Sequence, residues 1–240
     1  MTSTDADLLP RLRHSTGPLH DRIEALLQLE APMPLDRYGR ILRGFHEFLH
    51  LWEQRVHFAL PQPLKPWFLE RRRAPLAQQD LDALAVPDAP DLRQSARAAQ
   101  ALIRLDSPAA AIGALYVLEG SALGGQVLVP QLTRHLGLRP DHGTRYFHGF
   151  GERTGAMWRE FRQLAQQHAG TDAASQSDAL RGAAQTFEAL LHTFAALDGQ
   201  TLTDSSAQTP PRMKASSPPS PPLPSTTSPD AVQRQSQALA

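Results

Sequence analysis

The stretch Ala111–Val129, AIGALYVLEGSALGGQVLV, decides how this chain is read. It shows no apolar–polar alternation bounded by hairpin turns, so it reads as helix and not as strand. Gly113, Gly120 and Gly124 stand seven and four residues apart. At roughly 100° per residue they fall within about 40° on one helix face. Glycine inside a helix costs about 1 kcal/mol relative to alanine, so three on one face need a compensating reason. One reason is close approach of the backbone to something flat and bulky. The other is tight packing against a second helix. Spacing leaves both open. The adjacent Gly124-Gly125 pair would also let the helix bend over a ligand.

Outward from this segment the pattern stays helical, and an all-α domain is expected. Helices are predicted near 5–14, 18–29, 35–60, 76–84, 90–105, 108–126, 127–136, 152–169 and 176–197. Tyr38, Ile41, Leu42, Phe45, Leu49, Trp52, Val56 and Leu60 recur at helical spacing. Asp106-Ser107-Pro108 offers cap residues followed by a proline for the first turn. Gly137 and Pro140 stop the segment after Gln131. From Thr201 the chain turns to Pro, Ser and Thr, too poor in apolar residues to offset its ordering entropy. The expected organisation is a helical domain over 1–199 and a Pro/Ser/Thr-rich disordered tail over 200–240.

Composition narrows the chemistry. The chain contains no cysteine among its 240 residues, which excludes disulfides, thiolate ligands and cysteine nucleophiles. A metal would need His, Asp, Glu or Tyr. Lys+Arg and Asp+Glu balance at 24 each, so no global field favours nucleic acid or an acidic membrane. The start, MTSTDADLLPRL, has no apolar signal core, and no uninterrupted apolar run approaches the ~20 residues of a membrane span. A cytoplasmic protein is expected.

Two groups of histidine invite a metal. His20, in LRHSTGPLHDRIEALLQLE, shares a helical stripe with Ile23 and Leu27. Glu24 lies one turn on, placed to orient its ring. A satisfied, partly buried histidine would look the same, and His14 is a rival six residues earlier. Along the helix predicted for 35–60, His46, His50, Glu53 and His57 form one stripe, with Glu47 beside it. Such a stripe suits a carboxylate–histidine site only with a matching Glu-x-x-His on another helix. None follows in the chain, so it reads as a polar face.

Three segments, in order, resemble the haem oxygenase family, especially its bacterial branch. LRHSTGPLHDRIE resembles the helix that carries the proximal haem ligand. ALYVLEGSALGGQVL is similar to the distal helix, whose glycines cover the haem face. FGERTGAMWREFRQL, followed by AAQTFEALL, resembles the closing C-terminal helices. The likeness spans about residues 8–195. It implies a haem oxygenase-like helical domain with haem, both substrate and cofactor, between a proximal and a kinked distal helix. The activity implied is oxidative opening of haem to biliverdin, ferrous iron and CO.

By position, the resemblance makes His20 the axial iron ligand and Glu24 its acidic neighbour. Gly120 and Gly124 would line the distal face. Ser121 stands where animal enzymes have an aspartate, so Ser121 with ordered water would deliver protons. Arg13, Tyr116, Arg159 and Arg162 would meet the propionates, guanidinium being suited to carboxylates. Phe187 would pack on the macrocycle. Gly17-Pro18 departs from the family, since a proline there should start or kink a helix. The chain has no flavin or nucleotide fingerprint. Besides O2, the reaction implies an external donor, a ferredoxin, flavodoxin or reductase, and a bilin-accepting photoreceptor is a conceivable client. Rival readings are a non-catalytic haem carrier, a metalloenzyme using the His46–His57 stripe, and an interaction module using the tail.

Overall fold

A computed structural model describes residues 7–197, and within them the secondary structure is helical. The segment from residue 200 onward, read as a tail, lies outside the described residues. The helices are α1 (Leu8–Leu27), α2 (Leu35–Ala59), α3 (Lys65–Leu69), α4 (Ala74–Ala83), α5 (Pro90–Ala99), α6 (Pro108–Leu136), α7 (Arg145–His148), α8 (Thr154–Ala169) and α9 (Ala173–Phe194). The expected all-α class holds. α9 is central, packed against α6, α1 and α5, while α6 also packs on α8 and α7. Tyr38, Phe48 and Trp52 of α2, Phe68, Phe161 and Phe194 fill the interior as the largest fully buried side chains.

Two expected breaks are absent. The first is between 5–14 and 18–29, where α1 runs unbroken with Pro18 inside it. Pro18 lacks an N–H and leaves one helical bond unmade, at a cost near 3 kcal/mol. Leu8, Leu12, Thr16, Ile23 and Leu27 nevertheless form one continuous buried stripe across it. Burying four large apolar side chains at about 1.5–3 kcal/mol each outweighs that cost. Ser15 and Thr16 also turn their hydroxyls back onto the Leu12 carbonyl, at 3.1 and 2.8 Å.

The second is between 108–126 and 127–136, where α6 is a single helix through Gly124-Gly125 and Pro130. Its ends follow local chemistry. Ser107 Oγ accepts from the Ala110 N–H at 3.2 Å, and Gly137 ends the helix in the left-handed region at φ 69°. α6 is long and apolar enough to cross a membrane by length and composition, and half of its most apolar stretch is buried inside the protein.

Short connections hold the frame. Buried Asp80 of α4 accepts from the Arg145 and Tyr146 N–H groups at 2.9 and 2.8 Å, starting α7. Asp172 accepts from the Ser175 N–H at 2.9 Å and starts α9.

Candidate active site

α1 carries Arg13, Thr16, His20 and Glu24 at helical spacing, and α6 carries Tyr116, Gly120 and Gly124 in the same way. The two helices meet where the Tyr116 hydroxyl pairs with buried Thr16, close to the Arg13 charge. Burial raises the Tyr116 pKa against both of these neighbours. His20 lies one turn beyond Thr16, and Gly120 and Gly124 lie one and two turns beyond Tyr116.

His20 is exposed, with 51% of its side chain open to solvent. Its Nδ1 lies 3.6 Å from a Glu24 carboxylate oxygen, and its ring meets Phe187 of α9 edge-on at 6.0 Å. Potential ligand atoms of His20, Asp21 and Glu24 all fall within 4.8 Å of one another. The imidazole thus has an orienting carboxylate, an aromatic wall and an open side.

The glycines of α6 separate into two kinds. A β-carbon on Gly113 would lie 1.8 Å from the Ala179 carbonyl oxygen of α9, and one on Gly125 would lie 2.1 Å from the Phe147 oxygen. These two are packing glycines. Among the described residues, a β-carbon on Gly120 would meet only the tip of Trp158, at 4.0 Å, and one on Gly124 would meet nothing within 4 Å. Helix packing accounts for Gly113 and not for the other two. Gly120 and Gly124 thus present open backbone on α6, and His20 presents an accessible imidazole on α1. An imidazole nitrogen is one of the ligands that haem iron takes.

Ser121 lies off this glycine face. Its hydroxyl donates to the Leu118 carbonyl and accepts from Arg73 Nη1, both at 2.9 Å. Arg159 and Arg162 are exposed on α8. Arg13, Thr16 and Tyr116 are therefore brought together, as are His20, Glu24 and Phe187.

A buried charged layer beside α6 was not anticipated from sequence. Glu53 of α2, 2% exposed, accepts from the backbone N–H groups of Arg73 and Ala74 at 2.6 and 2.8 Å, and from Arg72 Nε at 2.8 Å. Arg73 donates to the Leu118 carbonyl at 2.9 Å and lies over the Tyr146 ring. Arg71 pairs with Glu119 at 2.8 Å and with Glu160, and it donates to the Met157 carbonyl at 3.2 Å. Burial still pushes the Glu119 carboxyl above its ordinary range, outweighing Arg71 and Arg73. The only local signal was three consecutive arginines at 71–73.

This layer also divides the His46–His57 stripe. Glu53 turns inward and is fully engaged, so it cannot serve as a metal ligand beside His50. His46 and His50 stack at 5.9 Å, and His57 lies against Phe68 at 6.4 Å.

Comparisons with known proteins bear on the fold and the family. The family model described as Heme oxygenase matches residues 6–196. A curated protein named Heme oxygenase from Xanthomonas campestris pv. campestris (strain 8004) is 32% identical over 166 residues, covering 69% of this chain and 92% of that one. Among solved structures, the heme oxygenase from Neisseria meningitidis superposes with a TM-score of 0.59 at 21% identity, covering 87% of this chain and 99% of that one. Heme oxygenase 2 from Chlamydomonas reinhardtii, solved without heme, gives 0.61 at 18% identity, with 80% and 96% covered. With the family model matched along nearly the whole described helical unit, the chain belongs to the heme oxygenase family.

Proposed function

We propose that this chain opens haem to biliverdin, ferrous iron and CO, using O2 and electrons from an external donor, with His20 as the axial iron ligand. The observation that carries this reading is the open backbone of Gly120 and Gly124. Helical glycine is costly, and packing repays that cost at Gly113 alone of the three. A planar ligand lying against the other two supplies the missing reason.

The chain's own residues then divide the work. His20 supplies the imidazole nitrogen, with Glu24 and Phe187 fixing ring orientation. Arg13 and Tyr116 receive propionate oxygens at the edge where α1 meets α6, and Arg159 and Arg162 add positive charge from α8. Gly120 and Gly124 leave room beside the macrocycle. Ser121, held by Arg73 and the Leu118 carbonyl off the glycine face, would reach the substrate only through ordered water. Bound haem supplies the redox chemistry, and the helices supply orientation and electrostatics. A ferredoxin, flavodoxin or reductase would deliver electrons, and the product bilin could pass to a photoreceptor.

The test is an absorption titration of the protein with hemin, then ascorbate in air with catalase present. A saturable one-to-one Soret band that decays into the broad red band of biliverdin is the expected result. His20→Ala should lose the wild-type haem spectrum. A Soret band that outlasts both ascorbate and a competent reductase would make the chain a haem carrier instead. No Soret change would end the haem reading altogether.

A further inference from the structure

Trp158 of α8 has no part in the reading above, yet its indole is what a β-carbon on Gly120 would meet among the described residues. The ring is half-buried. It stacks on buried Phe161 with centroids 5.5 Å apart and planes 23° apart, and it leans on Tyr116 at 6.0 Å and 48°. Its tip is the first atom that a β-carbon on Gly120 would meet.

One buried guanidinium fixes this neighbourhood. Arg71 binds the Met157 carbonyl just before Trp158 and Glu160 just after it. It also binds Glu119, the residue before Gly120. The backbones carrying Trp158 and Gly120 are therefore tied to one side chain that is 3% exposed. A large rigid ring backed by Phe161 is held at a set position beside the glycine face.

We propose that Trp158 is a specificity-determining residue, its indole bordering the substrate beside Gly120 and choosing which meso carbon of the porphyrin is opened. The proposal rests on haem seating against Gly120 and Gly124 as argued above. A porphyrin is close to fourfold symmetric apart from its peripheral substituents. Quarter-turn rotations within its plane therefore exchange the meso positions while leaving iron over His20. Propionate contacts oppose such rotation from one edge only. A fixed aromatic wall next to Tyr116 opposes it sterically as well, at little conformational cost because an indole has two side-chain torsions.

The test compares the wild type with Trp158→Ala, Trp158→Leu and Trp158→Phe, after circular dichroism has shown which variants fold. The readouts are hemin affinity, the haem-methyl proton resonances of the cyanide-ligated hemin complex, and the chromatographic ratio of biliverdin isomers. Wild type and Trp158→Phe should give one dominant methyl set and one dominant isomer. Trp158→Ala should bind hemin about tenfold more weakly, the scale of one lost aromatic contact. It should also show a second methyl set and a mixed product. If the alanine variant does not fold, the leucine variant should show the same mixture. A truncated variant that folds, binds hemin and keeps the wild-type methyl pattern and isomer ratio would overturn the proposal while leaving the oxygenase reading intact. Failure of the wild type itself to bind hemin would remove both.

Discussion

Gly113 of α6 lies so close to Ala179 of α9 that a β-carbon on the glycine would sit 1.8 Å from the Ala179 carbonyl oxygen. The contact is answered one turn along, where a β-carbon on Gly182 of α9 would lie 2.1 Å from the Ala110 oxygen of α6. The obstacles are backbone atoms inside helices, so no rotamer change relieves them. Gly113→Ala should gain roughly 1 kcal/mol of helix propensity and lose more through forced separation of α6 and α9. The net cost should be about 2–3 kcal/mol or larger. At about 2–4 °C per kcal/mol for a domain of this size, thermal unfolding should fall by about 5–10 °C. A melting temperature equal to wild type would refute the packing role.

Gly124→Ala should act in the opposite direction on the haem-free protein. Nothing lies within 4 Å of the added carbon, so the propensity gain is unopposed and the melting temperature should rise by about 2–4 °C. Hemin affinity should fall at the same time, because the new methyl occupies the face assigned to the substrate. Stability gained with binding lost marks a glycine kept for a ligand. Calorimetry of the apoprotein and hemin titration of the same sample read both quantities, and tighter hemin binding would contradict the assignment.

These two glycines also show what could be read from the sequence. Gly113 and Gly124 are equivalent by spacing and cost, and only the element opposite each one separates packing from opening. Signals that act within a few residues were legible: Ser107 and Pro108 start α6, and Gly137 stops it. Pro18 misled because its local penalty is outweighed by a buried stripe reaching from Leu8 to Leu27. Glu53 misled for a related reason. It shares a helical row with His46, His50 and His57, and its true partners, the Arg73 and Ala74 N–H groups, are brought in by the loop before α4. Trp158 was invisible as a wall because its neighbours Gly120 and Tyr116 come from another helix.

Glu53→Gln tests that capping role. The carboxylate accepts three hydrogen bonds, from two backbone N–H groups and Arg72. An amide replaces one acceptor oxygen with an NH2 group and removes the charge facing Arg72, so one of the three donors loses its partner. The expected cost is about 2–4 kcal/mol in urea unfolding. Loosening of the 71–74 segment should also speed hydrogen exchange at the Ala74 amide, which donates to Glu53. An unfolding midpoint within error of wild type would show that Glu53 is not anchoring α4.

His46 gives the chain a pH dependence with a defined sign. Burial holds its imidazole below the ordinary value of 6.5, against the attraction of Glu47 and Asp82 and with the help of Arg43 and His50. Among the described residues its buried Nδ1 has no hydrogen-bond partner, the nearest Glu47 oxygen standing 3.9 Å away, and burial makes the folded state favour the neutral ring. The unfolded chain then takes up the proton first as pH falls. The stability tied to this group is fully present above about pH 6.5 and is lost as pH drops through the lower folded value. Urea midpoints measured at about pH 8 and about pH 5 should therefore differ more in the wild type than in His46→Asn, which has nothing to protonate. An equal drop in both proteins would place the acid sensitivity elsewhere, and a larger drop in the variant would reverse the sign argued here.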